Sequence, residues 1–342
     1  MRVVEAIRTA EAPTAIPSAA VDWVGSGDQE HAVIPGIEEI LERATTANAT
    51  FSELALPWAV RGPVGAEPLF STSSLANAPG CTLRTGKGLD AGLSPRPYLH
   101  PITTRAGITL TDHMPVDHAW HLGAGFALQD VNGSNFWGGR SYRRSSGRYM
   151  DLEDHGRMEI RNVRRGQDHT TLDLEWMAAD GSRLLTENRS FRRSIVNDRT
   201  WRLDLATGLT AVVDSSLGSP GSHGLSGSGY GGFFWRLPVN GSARVFSSTA
   251  EGETAVHGSV SPWLAWAGNF DGGPATLVFG APEESADPWF VRLGEYPAVG
   301  SALAWIAPVE LAAGESLVRS VAVWISDGIL SADEVEDLVA GR

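Results

Sequence analysis

From residue 97 onward, short alternating or apolar runs are punctuated about every 8 to 12 residues by turn signals such as Asn132-Gly133, Asp180-Gly181, Asn240-Gly241 and Asp271-Gly272. This rhythm predicts antiparallel strands over 170–177, 183–192, 200–210, 275–280, 302–307 and 316–326. In the first of these, Thr171, Asp173 and Glu175 alternate with Leu172, Leu174 and Trp176. One face of that strand therefore meets a core and the other meets water. The chain closes on Ser331-Ala332-Asp333-Glu334, a capping box that predicts a short terminal helix.

The first part of the chain follows a different pattern. Ile37, Ile40, Leu41 and Ala44 recur at helical spacing, so residues 1–50 read as a partly helical extension. Residues 51–95 are rich in Gly, Pro and Ser and predict irregular strands and loops, leading into a single β domain over 51–342. No repeat of fixed period is visible, which excludes propellers and solenoids. A large antiparallel β-sandwich fits best, because two broad sheets bury the alternating residues and leave a concave surface for a ligand.

Composition narrows the class of function. Forty acidic residues against 27 basic ones give a formal charge of −13, which argues against nucleic acid or an anionic membrane as partner. No apolar run reaches the roughly 18 residues of a membrane-spanning helix. Lys87 is the only lysine, a poor candidate for Schiff-base chemistry, and the single Cys81 excludes an internal disulfide or CxxC motif. Glu5, Arg8 and Glu11 interrupt the place where a signal peptide carries its apolar segment, so a cytoplasmic protein is expected, possible as a homo-oligomer.

Five of the nine histidines, His100, His113, His118, His121 and His155, fall within residues 100–155, interleaved with Asp117, Trp120, Asn135 and Trp137. Two chemistries suit this cluster. In one, an imidazole acts as general acid or base while the tryptophans stack on a sugar. In the other, His118 and His121 together with His113, Asp117 or a distant carboxylate hold a divalent cation, zinc or manganese. The HxxH spacing of His118 and His121 suits a helix or a tight turn, and Pro115 opposes a helix through all three. A glycine-rich stretch from Ser222 to Arg236 adds Tyr230, Trp235 and Arg236 without the pattern of a phosphate-binding loop. Further polar residues set among aromatics are His257, Arg292, Glu295, Tyr296 and the strand residue Glu187, whose carboxylate is costly to bury unless paired.

Taken together, RPYLHP at 96–101, DHxxH at 117–121, VNGxNFWGG at 131–139, EDHG at 153–156, GYGGFFWRLP at 229–238, HGxxxPW at 257–263 and FVRxxEYPxVG at 290–300 resemble the bacterial PmoA-like (methane oxygenase-like) family. The resemblance covers residues 95–330 and implies a sandwich similar to the galactose mutarotase-like supersandwich, with a sugar or oxidised sugar as ligand. It maps onto His100, Asp117, His118, His121, Asn135, Trp137, His155, Tyr230, Arg236, Arg292, Glu295 and Tyr296. The expectation is a carbohydrate-active enzyme in which His118 or His121 is the base and Tyr230 or Glu295 assists as acid. Mutarotation, epimerisation, elimination and glycosidic cleavage all remain open, as do a metal-dependent keto-glycoside lyase or hydrolase and a non-catalytic sugar-binding protein.

Overall fold

A computed structural model describes residues 22–26, 29–33 and 80–341, apart from 240, 283–286 and 295. The helix expected around Ile37 to Ala44 and most of the 51–95 segment lie outside the described residues. Within the first 50, backbone strands at Asp22–Ser26 and Gln29–Val33 pair antiparallel.

Fourteen strands build the two main sheets. In chain order they are β1 (Cys81–Arg84), β2 (Tyr98–Ile102), β3 (Ala124–Ala127), β4 (Arg157–Arg165), β5 (His169–Met177), β6 (Arg183–Ile195), β7 (Thr200–Ala211), β8 (Gly232–Arg236), β9 (Ala243–Ser247), β10 (Trp263–Phe270), β11 (Gly273–Gly280), β12 (Trp289–Arg292), β13 (Ala298–Ala302) and β14 (Ser316–Asp327). Eight form one sheet in the order β4-β5-β6-β7-β14-β11-β10-β9, and six form the other in the order β12-β13-β8-β3-β2-β1. Every pairing within them is antiparallel. The chain is all-β, and the two sheets enclose one large apolar core.

Period-2 alternation decides which side chain enters that core. Leu172, Leu174 and Trp176 of β5 and Leu203, Leu205 and Leu209 of β7 point in from the large sheet, and Leu99, Phe126, Phe233, Trp235 and Val299 from the small one. The strands expected at 170–177, 183–192, 200–210, 275–280 and 316–326 all form, each within a few residues of its predicted bounds. The strand expected over 302–307 does not. There β13 ends at Ala302 and the chain turns, packing the Trp305 ring against Gly229 and Gly258, where any Cβ would clash. The terminal helix (Ala332–Ala340) has the capping box in place, and its Val335 covers the outer face of the large sheet beside Trp263 and Trp324.

Glu187 points inward, which the strand pattern alone left unsettled. Its carboxylate accepts from Arg189 Nε at 2.6 Å, Trp176 Nε1 at 2.7 Å and Thr207 Oγ1 at 2.6 Å, and Arg189 also donates to the carbonyl of Pro97 on the opposite sheet at 3.0 Å. The pair is a structural tie across the sandwich. Removing one partner strands a buried charge, so Arg189→Ala is expected to lower stability by about 3–5 kcal/mol. Urea unfolding monitored by tryptophan fluorescence checks this; a loss under about 1 kcal/mol would mean that the pair is solvated.

Candidate active site

The outer face of the six-stranded sheet carries most of the residues singled out in the sequence. Strand register puts Phe234 between Gly125 and Gly300, with Phe290 beyond, as one row across the sheet. The next row runs from Arg236 through Ala298 to Arg292. Gly300 keeps the aromatic row flat, because a Cβ there would lie 2.9 Å from the Phe233 carbonyl oxygen.

The segment 112–123 folds back over this face. Its ends are tied by the backbone hydrogen bonds Asp112 N–H to Arg236 O at 3.0 Å and Gly123 N–H to Asp112 O at 3.0 Å. Two turns follow each other inside it, closed by His118 N–H to Pro115 O at 3.1 Å and His121 N–H to His118 O at 2.9 Å. The HxxH spacing is thus used in a tight turn. The rings of His118 and His121 stack at 4.7 Å and 20°, and Tyr296 lies against both at 4.5 and 5.2 Å. His118 and His121 are only 5% and 3% exposed.

The two imidazoles differ in environment. His118 Nδ1 lies 2.8 Å from Asp117 Oδ2. An ionised carboxylate only accepts, so His118 donates from Nδ1. Burial alone would raise the Asp117 carboxyl, but its hydrogen bond to His118 and the Arg236 charge outweigh that and hold it below the usual range. His121 has no such partner, and its Nδ1 is buried without a protein hydrogen bond. Burial first, then the charges of His118, Arg236 and Arg96, push its pKa far down and keep the ring neutral. Asp112, behind the loop, is raised by burial against the opposing Arg236 charge.

His118, Trp120, His121, Trp137, Tyr149, Tyr230, Phe234, Phe290 and Tyr296 line a recess of about 320 Å³ including its open mouth. Trp120, Tyr149, Phe234 and Phe290 are not among the residues the sequence pattern marks as a site; a hydroxyl 2.8 Å from that of Tyr230 is what brings Tyr149 in. Trp137 stands edge-on to His121 at 5.9 Å and to Phe234 at 4.7 Å. Asn135 and His155 hold it there from behind. Asn135 Oδ1 accepts from the backbone N–H of Trp137 at 2.8 Å and of Gly138 at 2.9 Å, and His155 Nε2 bonds the Gly139 carbonyl at 2.6 Å. Gly139 sits at φ +67°, where a Cβ would also enter the Trp120 ring at 2.6 Å.

Other expected residues lie elsewhere. Trp235 is fully buried in the inter-sheet core and donates to the Leu110 carbonyl at 2.7 Å, because strand alternation turns it away from its neighbours Phe234 and Arg236. It is a core residue, not a stacking plane for a ligand. His257 and Arg292 form a separate tie that holds the glycine-rich loop through the Gly227 carbonyl, at 2.9 and 3.3 Å. Glu295 lies outside the described residues. His100 stacks on His113 at 4.3 Å and bonds Thr111 Oγ1 at 3.0 Å.

That stacking separates the proposed metal trio. His113 pairs with His100 while His118 pairs with His121, and among the described residues no three His, Cys, Asp or Glu side chains come together as a ligand set. The donor geometry does not fit a zinc or manganese centre on His113, His118 and His121. A second recess, of about 400 Å³ including its open mouth, lies between the sheets and is lined by Phe126, Phe191, Leu205, Phe233 and Val321, with Arg189 and Arg319 paired to Glu187 and Asp287. Its lining is mostly apolar, and its two arginines are already committed to carboxylates.

Residues 74–340 match the model of a family of unknown function, DUF6807. The chain belongs to that family. No comparison supports the PmoA-like resemblance, and no curated protein matches. Among solved structures, a heparan sulfate lyase HepC mutant from Pedobacter heparinus is similar at a TM-score of 0.38 and 10% identity, over 85% of this chain and 40% of that one. A galactose mutarotase related enzyme from Lactobacillus acidophilus is similar at a TM-score of 0.29 and 6% identity, over 52% of this chain and 74% of that one. The chain thus spans two fifths of the length of the lyase, and at these TM-scores neither likeness bears on substrate or reaction. No helix among the described residues is long and apolar enough to cross a membrane.

Burial of neutral imidazoles makes stability depend on pH. Desolvation, then His113 and Arg84, push His100 down to about 3, and desolvation, then Arg292, push His257 to about 4 against an opposing Gly227 hydrogen bond. Each folded pKa lies below the ordinary 6.5, so the unfolded chain binds the extra protons. Their contribution is complete above about pH 6.5 and is lost as pH falls toward 4 and then 3. Thermal melts are expected to fall between about pH 6.5 and 5, above the ordinary carboxylate range, and His257→Asn is expected to flatten that slope. An unchanged slope in the folded variant would mean that His257 is charged in the native state.

Proposed function

We propose that the chain is a carbohydrate-active enzyme in which His118, oriented by Asp117, is the general base of the outer recess. The observation that carries this reading is the Asp117–His118 pair at 2.8 Å set in the wall of an aromatic recess. A base of this kind takes a proton from a sugar hydroxyl or from a carbon beside a carbonyl, and the carboxylate stabilises the imidazolium that forms. Tyr230, whose hydroxyl is 2.8 Å from that of Tyr149, is the proton donor on the recess wall. Trp137 and Phe234 supply apolar ring surface of the type that packs against the C–H face of a sugar.

His121 is the second imidazole but has the lesser part. Its neutral, buried ring backs His118, so proton transfer belongs to His118 rather than to the pair. Asn135 and His155 act on Trp137 by holding its loop, while Arg292 and His257 act on Tyr230 by anchoring the glycine-rich segment that carries it.

The test is a screen of the purified chain by ligand-detected NMR against hexoses, uronates, methyl glycosides and 3-keto-glycosides, followed for turnover in the same tubes. His118→Ala is expected to lower turnover by about 10²- to 10⁴-fold with little change in melting temperature. Trp137→Phe keeps most of the packing and is expected to raise KM more than it lowers kcat, whereas Trp137→Ala costs about 3–5 kcal/mol of stability as well. Binding without turnover would make the chain a sugar-binding protein, and wild-type turnover in His118→Ala would remove the assignment of the base.

A further inference from the structure

Arg236 is a buried guanidinium whose surroundings differ from those of an ordinary ion pair. It is 1% exposed, and its Nε and Nη1 have no hydrogen-bond partner among the described residues. Its nearest carboxylate oxygen is Asp117 Oδ2, 3.6 Å from Nη2. That same oxygen accepts from His118 Nδ1 at 2.8 Å. The Tyr296 ring lies over both side chains, 5.5 Å from the Arg236 guanidinium carbon and 4.5 Å from the His118 ring centroid, and Arg236 is screened from the recess.

We propose that Arg236 is a positioning residue: acting through Asp117 Oδ2, it fixes the His118 proton on Nδ1 and leaves Nε2 as the base. The proposal rests on the reading of His118 as the base and adds the residue that orients it. Asp117 is 43% exposed at its side chain, so a rotamer turned to water is open to it; the buried cation opposes that loss by attracting the carboxylate inward. With the carboxylate held, Nδ1 has an acceptor and keeps its proton; with the carboxylate released, imidazole reverts to its intrinsic preference for the proton on Nε2.

The backbone makes the arrangement rigid. Arg236 donates its own N–H to Gly123 O at 2.8 Å and accepts from Asp112 N–H at 3.0 Å, so the strand that carries the guanidinium also clamps both ends of the loop that carries Asp117 and His118. The other groups facing this unit are His121 from the same loop, Tyr296 from the segment before β13, and Asp112, which shares the Arg236 charge.

The experiment is nitrogen-15 NMR of the histidine rings in the full, ligand-free chain at about pH 8, with His118→Gln used to assign the His118 signals. Wild type is expected to show a protonated Nδ1 and a free Nε2 at His118. Asp117→Asn and Arg236→Gln are both expected to shift the proton toward Nε2, and Arg236→Lys to give a mixture, because an ammonium lacks the planar reach of guanidinium. Loss of stability in these variants with the wild-type ring signature retained would reduce Arg236 to a structural residue and overturn the proposal; either folded Arg236 variant decides this. Since no ligand is present, the outcome stands apart from the sugar screen: a shifted proton in these variants, together with no binding by wild type in that screen, sinks the carbohydrate reading alone.

Discussion

The constraint on which the molecule depends is that β8, Gly232-Phe233-Phe234-Trp235-Arg236, is buried on both faces. A strand inside a two-layer sandwich normally has one wet face. Here Phe233 and Trp235 go into the core between the sheets, while Phe234 and Arg236 go to the other side and are still only 6% and 1% exposed. Burying that second face requires a cover, and the loop 112–123 with the Asn135–Gly139 turn provides it. The recess is the gap left between the sheet and its cover.

Electrostatics in the recess follow from that burial. A cover built of histidine, tryptophan and tyrosine brings polar rings into a dry setting, where a charged imidazole is penalised and a neutral one is tolerated. His121 in the cover, and His100 on β2 where it stacks with His113 of the cover, illustrate the result, both held far below the ordinary histidine range. His118 alone in this group faces an ionised carboxylate, and that difference between adjacent stacked rings separates the proposed base from the ring behind it.

Much of the fold was legible from the sequence because its long strands bury one face. Leu172, Leu174 and Trp176 alternate with Thr171, Asp173 and Glu175, and the observed strand buries the first set and not the second. The terminal helix was equally legible, since a capping box is a local signal. Trp235 was misassigned for the opposite reason. In a strand buried on both faces, alternation gives no polar mark to tell the core side from the site side, and the sequence GFFWR reads the same in either register. His113 was misplaced because spacing along the chain is silent on which face of a folded-back loop a ring takes; the bridge between His113 and Leu122 sends it toward His100. Tyr149 carried no signal, because it comes from a separate short hairpin, with Tyr142 as its cross-strand neighbour.

The use of arginine connects these levels. With one lysine in 342 residues, and that one exposed, the buried basic side chains among the described residues are, histidines aside, arginines, and a planar fork can satisfy several carbonyls at once where an ammonium cannot. Arg96 donates to the carbonyls of Leu93, Ser94 and Trp120, which pins the loop before β2 to the cover. Arg189 ties the two sheets through Glu187 and Pro97, and Arg292 ties β12 to the glycine-rich loop. Each of these three is spent on backbone carbonyls. Arg236 is equally buried but has none, and a buried guanidinium with unmade hydrogen bonds costs stability unless its charge is used. The group it faces is the one carboxylate that also holds an imidazole of the recess, so the sandwich places its least satisfied cation where it orders the proposed base.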